Sequence, residues 1–315
     1  AYSGEFYLKE IDNRLVFTQL INLEEYVAGV IPYEIGGNAP IEAMKAQAIT
    51  ARTHSIALLT FNRHKNDGYD LCNSTHCQVY KGRFLNNPNV QIAVDSTSNQ
   101  ILTVNGRIAD TPYHSNCGGH TDAAHQIWIS QPLPHLLGVP CVAGVDSLDL
   151  TQENQARQWI DTDTLDPMMN SWEKAGMCWS HTISRKKLAS NAGMDDIDKI
   201  VINQRSISGR IIDMSFYNSG ETRILGEAKI REIFGGLRSS FFYIDGKYNF
   251  NRNGKVEIIP GGNLTLKGKG YGHGVGMCQS GALRQAREGK TYWDILNFYY
   301  PGTQISTDWM YYEGK

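Results

Sequence analysis

Lys269-Gly270-Tyr271-Gly272-His273-Gly274-Val275-Gly276-Met277-Cys278-Gln279-Ser280-Gly281-Ala282 alternates glycine with Tyr271, His273 and Val275, then runs into the helical pattern Ala282-Leu283-Arg284-Gln285-Ala286. Glycine at that density permits positive φ and close backbone approach, so the chain can fold tightly around something. An imidazole held there, just before a helix N-terminus, is well placed to meet a polar or anionic group. The plainer alternative is a glycine-rich turn from strand to helix with His273 merely exposed. A nucleotide loop is excluded, because neither GxGxxG spacing nor a GK[ST] ending is present.

Outward from this stretch, the 315 residues suffice for one large domain or two ordinary ones. With 41% hydrophobic and 20% charged residues the chain is globular rather than disordered. A net charge of −2 and a pI of about 6.5 favour neither nucleic acid nor an anionic membrane surface. No apolar run approaches the roughly 20 residues of a spanning helix. The start at Ala1, without an initiator Met, is compatible with a removed leader or anchor. Sixteen Tyr and six Trp supply flat rings of the kind that line sugar-binding grooves, although most such rings pack in cores.

Local patterns give an α+β chain. Phe6 to Ile21 reads as β structure, and Asn22 caps a short helix to Ile31. A long helix follows from Ile41 to Phe61, with Ile41, Met44, Ala48 and Ala51 facing the core. Gln91–Val94 and Gln100–Val104 read as strands, as do two runs within Asp198–Phe216 split at Ser208-Gly209. Glu227–Phe234 reads as a helix ending at Gly235-Gly236, and Phe241–Ile244 with Val256–Ile259 as hairpin strands. The expected architecture is mixed helices and antiparallel strands. Its core is built from residues 1–150 and 225–315, with an inserted or appended middle region over 151–224.

Three segments carry candidate chemistry. Glu34 is the single carboxylate in Pro32–Pro40, and apolar neighbours would suit it to act as a general acid. Position alone favours the blander reading, a surface carboxylate near a helix N-terminus. The run Tyr113-His114-Ser115-Asn116-Cys117-Gly118-Gly119-His120-Thr121 looks like a polar cradle for a ligand, or else a satisfied polar turn. No Gly-x-Ser-x-Gly elbow makes Ser115 a nucleophile. Finally, His64, Cys72, His76 and Cys77 form a Cys2His2 set suited to tetrahedral zinc, with Cys117 as a possible replacement for His64. A Cys72–Cys77 disulfide is the rival in an oxidising compartment.

Four segments together resemble one family. Leu23-Glu24-Glu25-Tyr26-Val27-Ala28-Gly29-Val30-Ile31-Pro32-Tyr33-Glu34 with Glu42–Thr53 resembles the start of the stage II sporulation protein D (SpoIID/LytB domain) family. Cys72…His76-Cys77-Gln78-Val79-Tyr80-Lys81-Gly82, the His114–Thr121 loop and Gly270–Ala282 match its later blocks in order, so the resemblance covers about residues 5–145 and 225–305.

That resemblance implies a peptidoglycan lytic transglycosylase, its helices and antiparallel strands arranged around a glycan-binding groove, with Glu34 as the acid/base and 1,6-anhydro-MurNAc ends as products. His114, Ser115, Gly118, Gly119, His120, Tyr271, His273, Gln279 and Gln78 then become substrate-binding residues. Zinc on the Cys-x3-His-Cys segment is structural, and no cofactor is needed for the chemistry. Implied partners are glycan strands, the sporulation amidase and the engulfment membrane proteins (stage II sporulation proteins P and M), and no nucleic acid. The implied location is extracytoplasmic, in the forespore–mother cell intermembrane space, on a membrane anchor N-terminal to this sequence. A non-catalytic glycan-binding or amidase-stimulating wall module is the alternative. Cys278 and Ser280 depart from the Ser and Tyr expected in the last block, and Cys117 from a small or hydroxyl residue.

Overall fold

A computed structural model describes residues 2–84, 87–128 and 130–308. Its class is mixed α+β, with sheets that are antiparallel apart from one parallel pair. By contact the chain divides into Ala1–Pro112 with Ala282–Lys315, and Tyr113–Gly281. These divisions fall at positions other than the 150 and 225 drawn from the sequence.

In the first unit, strands β1 (Glu5–Ile11) and β2 (Arg14–Leu20) form a hairpin. Asn22 then caps helix α1 (Leu23–Ile31), its side chain accepting the Glu24 N–H at 2.8 Å. Helix α2 (Ile41–Phe61) is the centre of the unit. The expected single core stripe is too narrow a description: Ala43, Ala46, Gln47, Ile49, Thr50, Arg52 and Thr53 are buried along with Met44, Ala48 and Ala51. The helix is enclosed on several sides by α1, by helix α3 (Asn89–Asp95), by strand β3 (Ile101–Val104) and by Tyr292–Tyr299. Alanines at close approaches permit this. Arg52, fully buried, is held by Glu24 through two hydrogen bonds of 2.8 and 2.5 Å and by the Gln100 carbonyl at 2.8 Å. Without Glu24, its charge would face the buried side of α2 unmatched.

Gln91–Val94, expected as a strand, lies inside α3. Val90, Ala93 and Val94 are its buried positions, a helical spacing that a four-residue apolar run cannot reveal.

The second unit is mostly sheet. One sheet has five strands in the order Asn249–Phe250, Val256–Ile258, Lys199–Arg205, Ile211–Asn218, Gly220–Leu225. Another places Asn263–Lys269 between Phe242–Ile244 and Cys178–Ser184. Phe242–Ile244 and Val256–Ile258 therefore lie in different sheets and are not hairpin partners as expected. Their side chains still meet in one apolar core with Phe216, Ile230, Phe234 and Leu266. The parallel pair Tyr113–His114 and Met277–Cys278 ties the His loop to the glycine-rich stretch. Among the described residues no helix is long and apolar enough to cross a membrane.

Candidate functional site

Glu34 sits on a π-helical turn, Pro32–Gly36, appended directly to α1. Such widened turns re-aim side chains and are frequent at functional sites. Pro32 and Ile35 anchor the turn in the core, leaving Tyr33 exposed and Glu34 half-buried. The Val79 N–H donates to Glu34 Oε1 at 2.7 Å and fixes the carboxyl group.

The segment that supplies this donor is pinned on both sides. Tyr80 stacks on Tyr26 with centroids 5.1 Å apart, in space that exists because residue 29 is glycine: a Cβ there would lie 2.4 Å from the Tyr80 ring. Gln78, buried, donates to Ser55 Oγ at 2.9 Å and to the Ala51 carbonyl at 3.3 Å.

Immediately before it, His64, Cys72, His76 and Cys77 bring their ligand atoms within 4.8 Å of one another. His64 Nε2 lies 3.2 Å from Cys77 Sγ, and His76 Nδ1 lies 3.7 and 3.9 Å from Cys72 and Cys77 Sγ. Asp67 Oδ2 accepts from His64 Nδ1 at 2.7 Å, which places the Nε2 lone pair toward the thiols. Arg63 donates to the His76 carbonyl at 2.7 Å. Burial pushes the Cys72 thiol up, but hydrogen bonds from Ser74 and from the adjoining His76 and Cys77 outweigh it and bring it down to about 6. No disulfide joins Cys72 to Cys77 in the structure.

In the second unit the glycine-rich stretch lies against the His114–Thr121 loop. Asn116 and Tyr271 exchange backbone hydrogen bonds of 3.0 and 2.8 Å, and the Asp122 N–H donates to the Gly274 carbonyl at 2.7 Å. Two glycines are required by geometry. At Gly272, φ is +101° and a Cβ would lie 2.9 Å from the His114 Cβ. At Gly274, φ is +85° and a Cβ would lie 2.3 Å from the guanidinium carbon of Arg210. Arg210 is fully buried, 4.0 Å from Asp122, whose Oδ2 accepts from Ser206 and Ser208 at 2.6 Å each. Burial raises the Asp122 carboxyl above its ordinary value against the opposing pull of Arg210 and the two serines.

Gly274→Ala is expected to destabilise the chain by about 3 kcal/mol, combining left-handed strain with overpacking, and to lower Tm by roughly 6–12 °C. Thermal unfolding followed by circular dichroism checks this.

His273 donates from Nε2 to the Tyr113 carbonyl at 3.0 Å and accepts the Val275 N–H at Nδ1, 3.1 Å. Its ring lies 5.2 Å from Trp128 and 5.5 Å from His114. Tyr271, Ser115, His120 and His273 reach the surface, whereas His114, Gly118, Gly119, Gln279 and Gln78 are buried. Gly119 makes room for Trp159, whose indole N–H donates to the Gly118 carbonyl at 2.7 Å, while a Cβ at Gly118 would lie 3.0 Å from the Phe241 ring. Sequence reasoning missed Trp128, 45% exposed beside His273, since a lone tryptophan carries no pattern. It also missed the Val79 N–H, which no side chain announces. Asp67 was missed too, although a carboxylate three residues after His64 was a signal that could have found it.

Comparison with known proteins agrees with these blocks. The stage II sporulation protein family matches residues 12–104, and a domain of unknown function matches residues 122–276. An uncharacterized protein of Brachyspira hyodysenteriae is 29% identical over 96% of this chain and 72% of its own length. An amidase enhancer of Bacillus subtilis is 29% identical over 89% of this chain, which spans 40% of that protein. Stage II sporulation protein D of Bacillus subtilis is 29% identical over 91% of this chain and 75% of its own length. With the Glu34 block, the Cys/His segment, the His loop and the glycine-rich stretch all present and in order, the chain carries a stage II sporulation protein match over residues 12–104 and is similar along most of its length to proteins named stage II sporulation protein D.

Proposed function

We propose that this protein is a peptidoglycan lytic transglycosylase that cleaves the MurNAc–GlcNAc bond with Glu34 as its acid and base. The observation that carries this reading is the Glu34 carboxyl, held by the Val79 N–H at 2.7 Å on a half-buried turn. Protonated Glu34 gives its proton to the glycosidic oxygen as the C1–O bond breaks, and the GlcNAc-ended strand leaves as an alcohol. The substrate's own acetamido group shields the electron-deficient C1. Glu34, now the anion, takes the proton of the muramic 6-hydroxyl as that oxygen bonds to C1. The 1,6-anhydro ring closes and the acid is regenerated, so no water is consumed. Water must be kept from C1, or the product would be an ordinary reducing end.

A glycan strand is a polymer, so different surfaces of the protein can hold different sugars. Tyr271, His120, Ser115 and His273 are proposed to contact sugar hydroxyl and acetamide groups, with Trp128 as a stacking face. The buried His114, Gly118, Gly119, Gln279 and Gln78 act by shaping these loops. Residues 1–150 and 225–315 are proposed as the catalytic core, with 151–224 packed on it.

The Cys2His2 set fits structural zinc. Tetrahedral zinc–sulfur and zinc–nitrogen bonds imply ligand separations of roughly 3.5–3.8 Å, and three of the observed separations are 3.2, 3.7 and 3.9 Å. Bound there, zinc would hold the loop that presents the Val79 N–H, while Glu34 alone handles the protons.

The relatives' names support a role in sporulation at the cell wall, and a location outside the cytoplasm, on an anchor N-terminal to this chain, is proposed with it. The proposed setting is the forespore–mother cell intermembrane space, on strands already stripped of peptides by the sporulation amidase. The amidase-enhancer relative also supports a second reading, a wall module that binds glycan and stimulates an amidase without cutting. Mass spectrometry of products from purified, peptide-free glycan strands separates these readings. Anhydro ends are expected; reducing ends or intact strands would overturn the transglycosylase reading.

A further inference from the structure

We propose that His114, Cys117, Cys141 and Cys278 form a second, Cys3His metal site in the Tyr113–Gly281 unit, suited to a soft divalent ion of the zinc class. His114 Nε2, Cys117 Sγ and Cys278 Sγ lie within 4.8 Å of one another, and all three residues are buried, at 4%, 2% and 1% exposure. The Cys141 thiol, 4% exposed, lies outside this mutually close trio but neighbours both of its thiols, and is the donor proposed to complete the set when an ion binds.

An independent observation points to a ligand. His114 Nδ1 faces the Val275 carbonyl at 3.1 Å. A carbonyl only accepts, so Nδ1 carries the proton and Nε2 presents a lone pair. That Nε2 is buried with no hydrogen-bond partner. An orphaned acceptor of this kind costs free energy unless something electropositive meets it. The carbonyl behind the ring also does what partners of metal-bound histidines do, fixing tautomer and orientation.

The sulfurs are prepared in the same way. The Cys117 and Gly281 N–H groups point at Cys278 Sγ at 3.2 and 3.4 Å, and the Gly119 N–H points at Cys117 Sγ at 3.3 Å. Backbone donors aimed at sulfur stabilise a thiolate more than a thiol. The buried Arg210 guanidinium donates to the Cys117 carbonyl at 3.2 Å and offsets the negative charge that three thiolates would bring. Two of these cysteines, Cys117 and Cys278, are the departures noted in the sequence, and they come together with a histidine in the fold. On binding, each thiol releases its proton to solvent and its sulfur takes a coordination bond. Three sulfur donors and one imidazole favour tetrahedral zinc over the hard oxygen-seeking cations. Four protein ligands leave no open position, so the site is structural.

Zinc counting by native mass spectrometry on the full chain, purified with zinc present, tests this. About two zinc ions per wild-type chain are expected, one on each set. His64→Gln combined with Cys77→Ser should leave one, and X-ray absorption at the zinc edge should then show a shell of three sulfurs and one nitrogen. Adding Cys278→Ser to that chain should remove the remaining ion. His114→Gln, which keeps a buried polar side chain of similar size, is the second variant if the serine variant does not fold. One zinc in the wild type with a two-sulfur, two-nitrogen shell would overturn the proposal. So would a Cys117–Cys278 disulfide in protein purified without oxidant, or a zinc count unmoved by His114→Gln.

Discussion

Glu34→Gln is expected to lower the release of anhydro-muropeptides by about 10⁴-fold or more while leaving KM for glycan strands and the thermal midpoint nearly unchanged. The size follows from the double use of one carboxyl group. A single positioned proton transfer contributes about 10²–10⁴-fold, and here the same residue must give a proton to the leaving oxygen and take one from the 6-hydroxyl. The amide can do neither. It can, however, still accept the Val79 N–H through its carbonyl oxygen, so the turn Pro32–Gly36 keeps its pinning contact and the fold is preserved. Glu34→Asp sharpens the test. It keeps the carboxyl but withdraws it by one methylene, a misplacement of about 1 Å that should cost roughly 10²-fold. Turnover by the Gln variant at the wild-type rate would end the assignment of Glu34, whereas wild-type chain that binds strands and never cuts them would point to the wall-module reading.

What was legible beforehand follows the range of the interactions involved. The Asn22 cap and the helix Ile41–Phe61 depend on neighbours a few residues apart, and both formed where the local pattern put them. Gln91–Val94 went wrong because four apolar residues carry no period, and packing against α2 decides the outcome. Phe242–Ile244 and Val256–Ile258 were correctly read as strands, yet their partners, Asn263–Lys269 and Lys199–Arg205, depend on long-range register. Within the candidate sites the same division holds. Cys72, His76 and Cys77 announce themselves by spacing, and His64 joins them across a short loop. In contrast, Cys117 and Cys278 are 161 positions apart with Cys141 between them, and they converge through long-range pairings such as that of Tyr113–His114 with Met277–Cys278. The glycine-rich stretch was legible as a close-approach loop. That Gly274 approaches a buried arginine rather than a ligand was not, because Arg210 gives no local sign of its burial.

On the proposal that zinc occupies the Cys72–Cys77 loop, stripping it is the second large effect expected, and it tests how that loop serves Glu34. Structural zinc in small Cys/His sites binds with about 10–16 kcal/mol, far more than a loop of this size gains from its own contacts. The half-buried Cys72 and the exposed His76 are otherwise held by surface contacts to Ser74 and Arg63, and Val79 follows Cys77 by two residues. Loss of the ion should therefore loosen residues 64–79, withdraw the Val79 N–H and let the Glu34 carboxyl wander. A misplacement of about 1 Å again predicts a fall of roughly 10²-fold in strand cleavage, mainly in kcat. Cys77→Ser should reproduce that fall without added chelator, and limited proteolysis should cut the variant first within 64–84. The decisive comparison is reconstitution of the stripped chain with cobalt or cadmium. An ion that only shapes the loop restores cleavage to similar rates whatever its Lewis acidity, because the protons move on Glu34. Rates that tracked the identity of the ion would instead place the metal in the chemistry, and full activity in protein free of zinc would remove it from the account altogether.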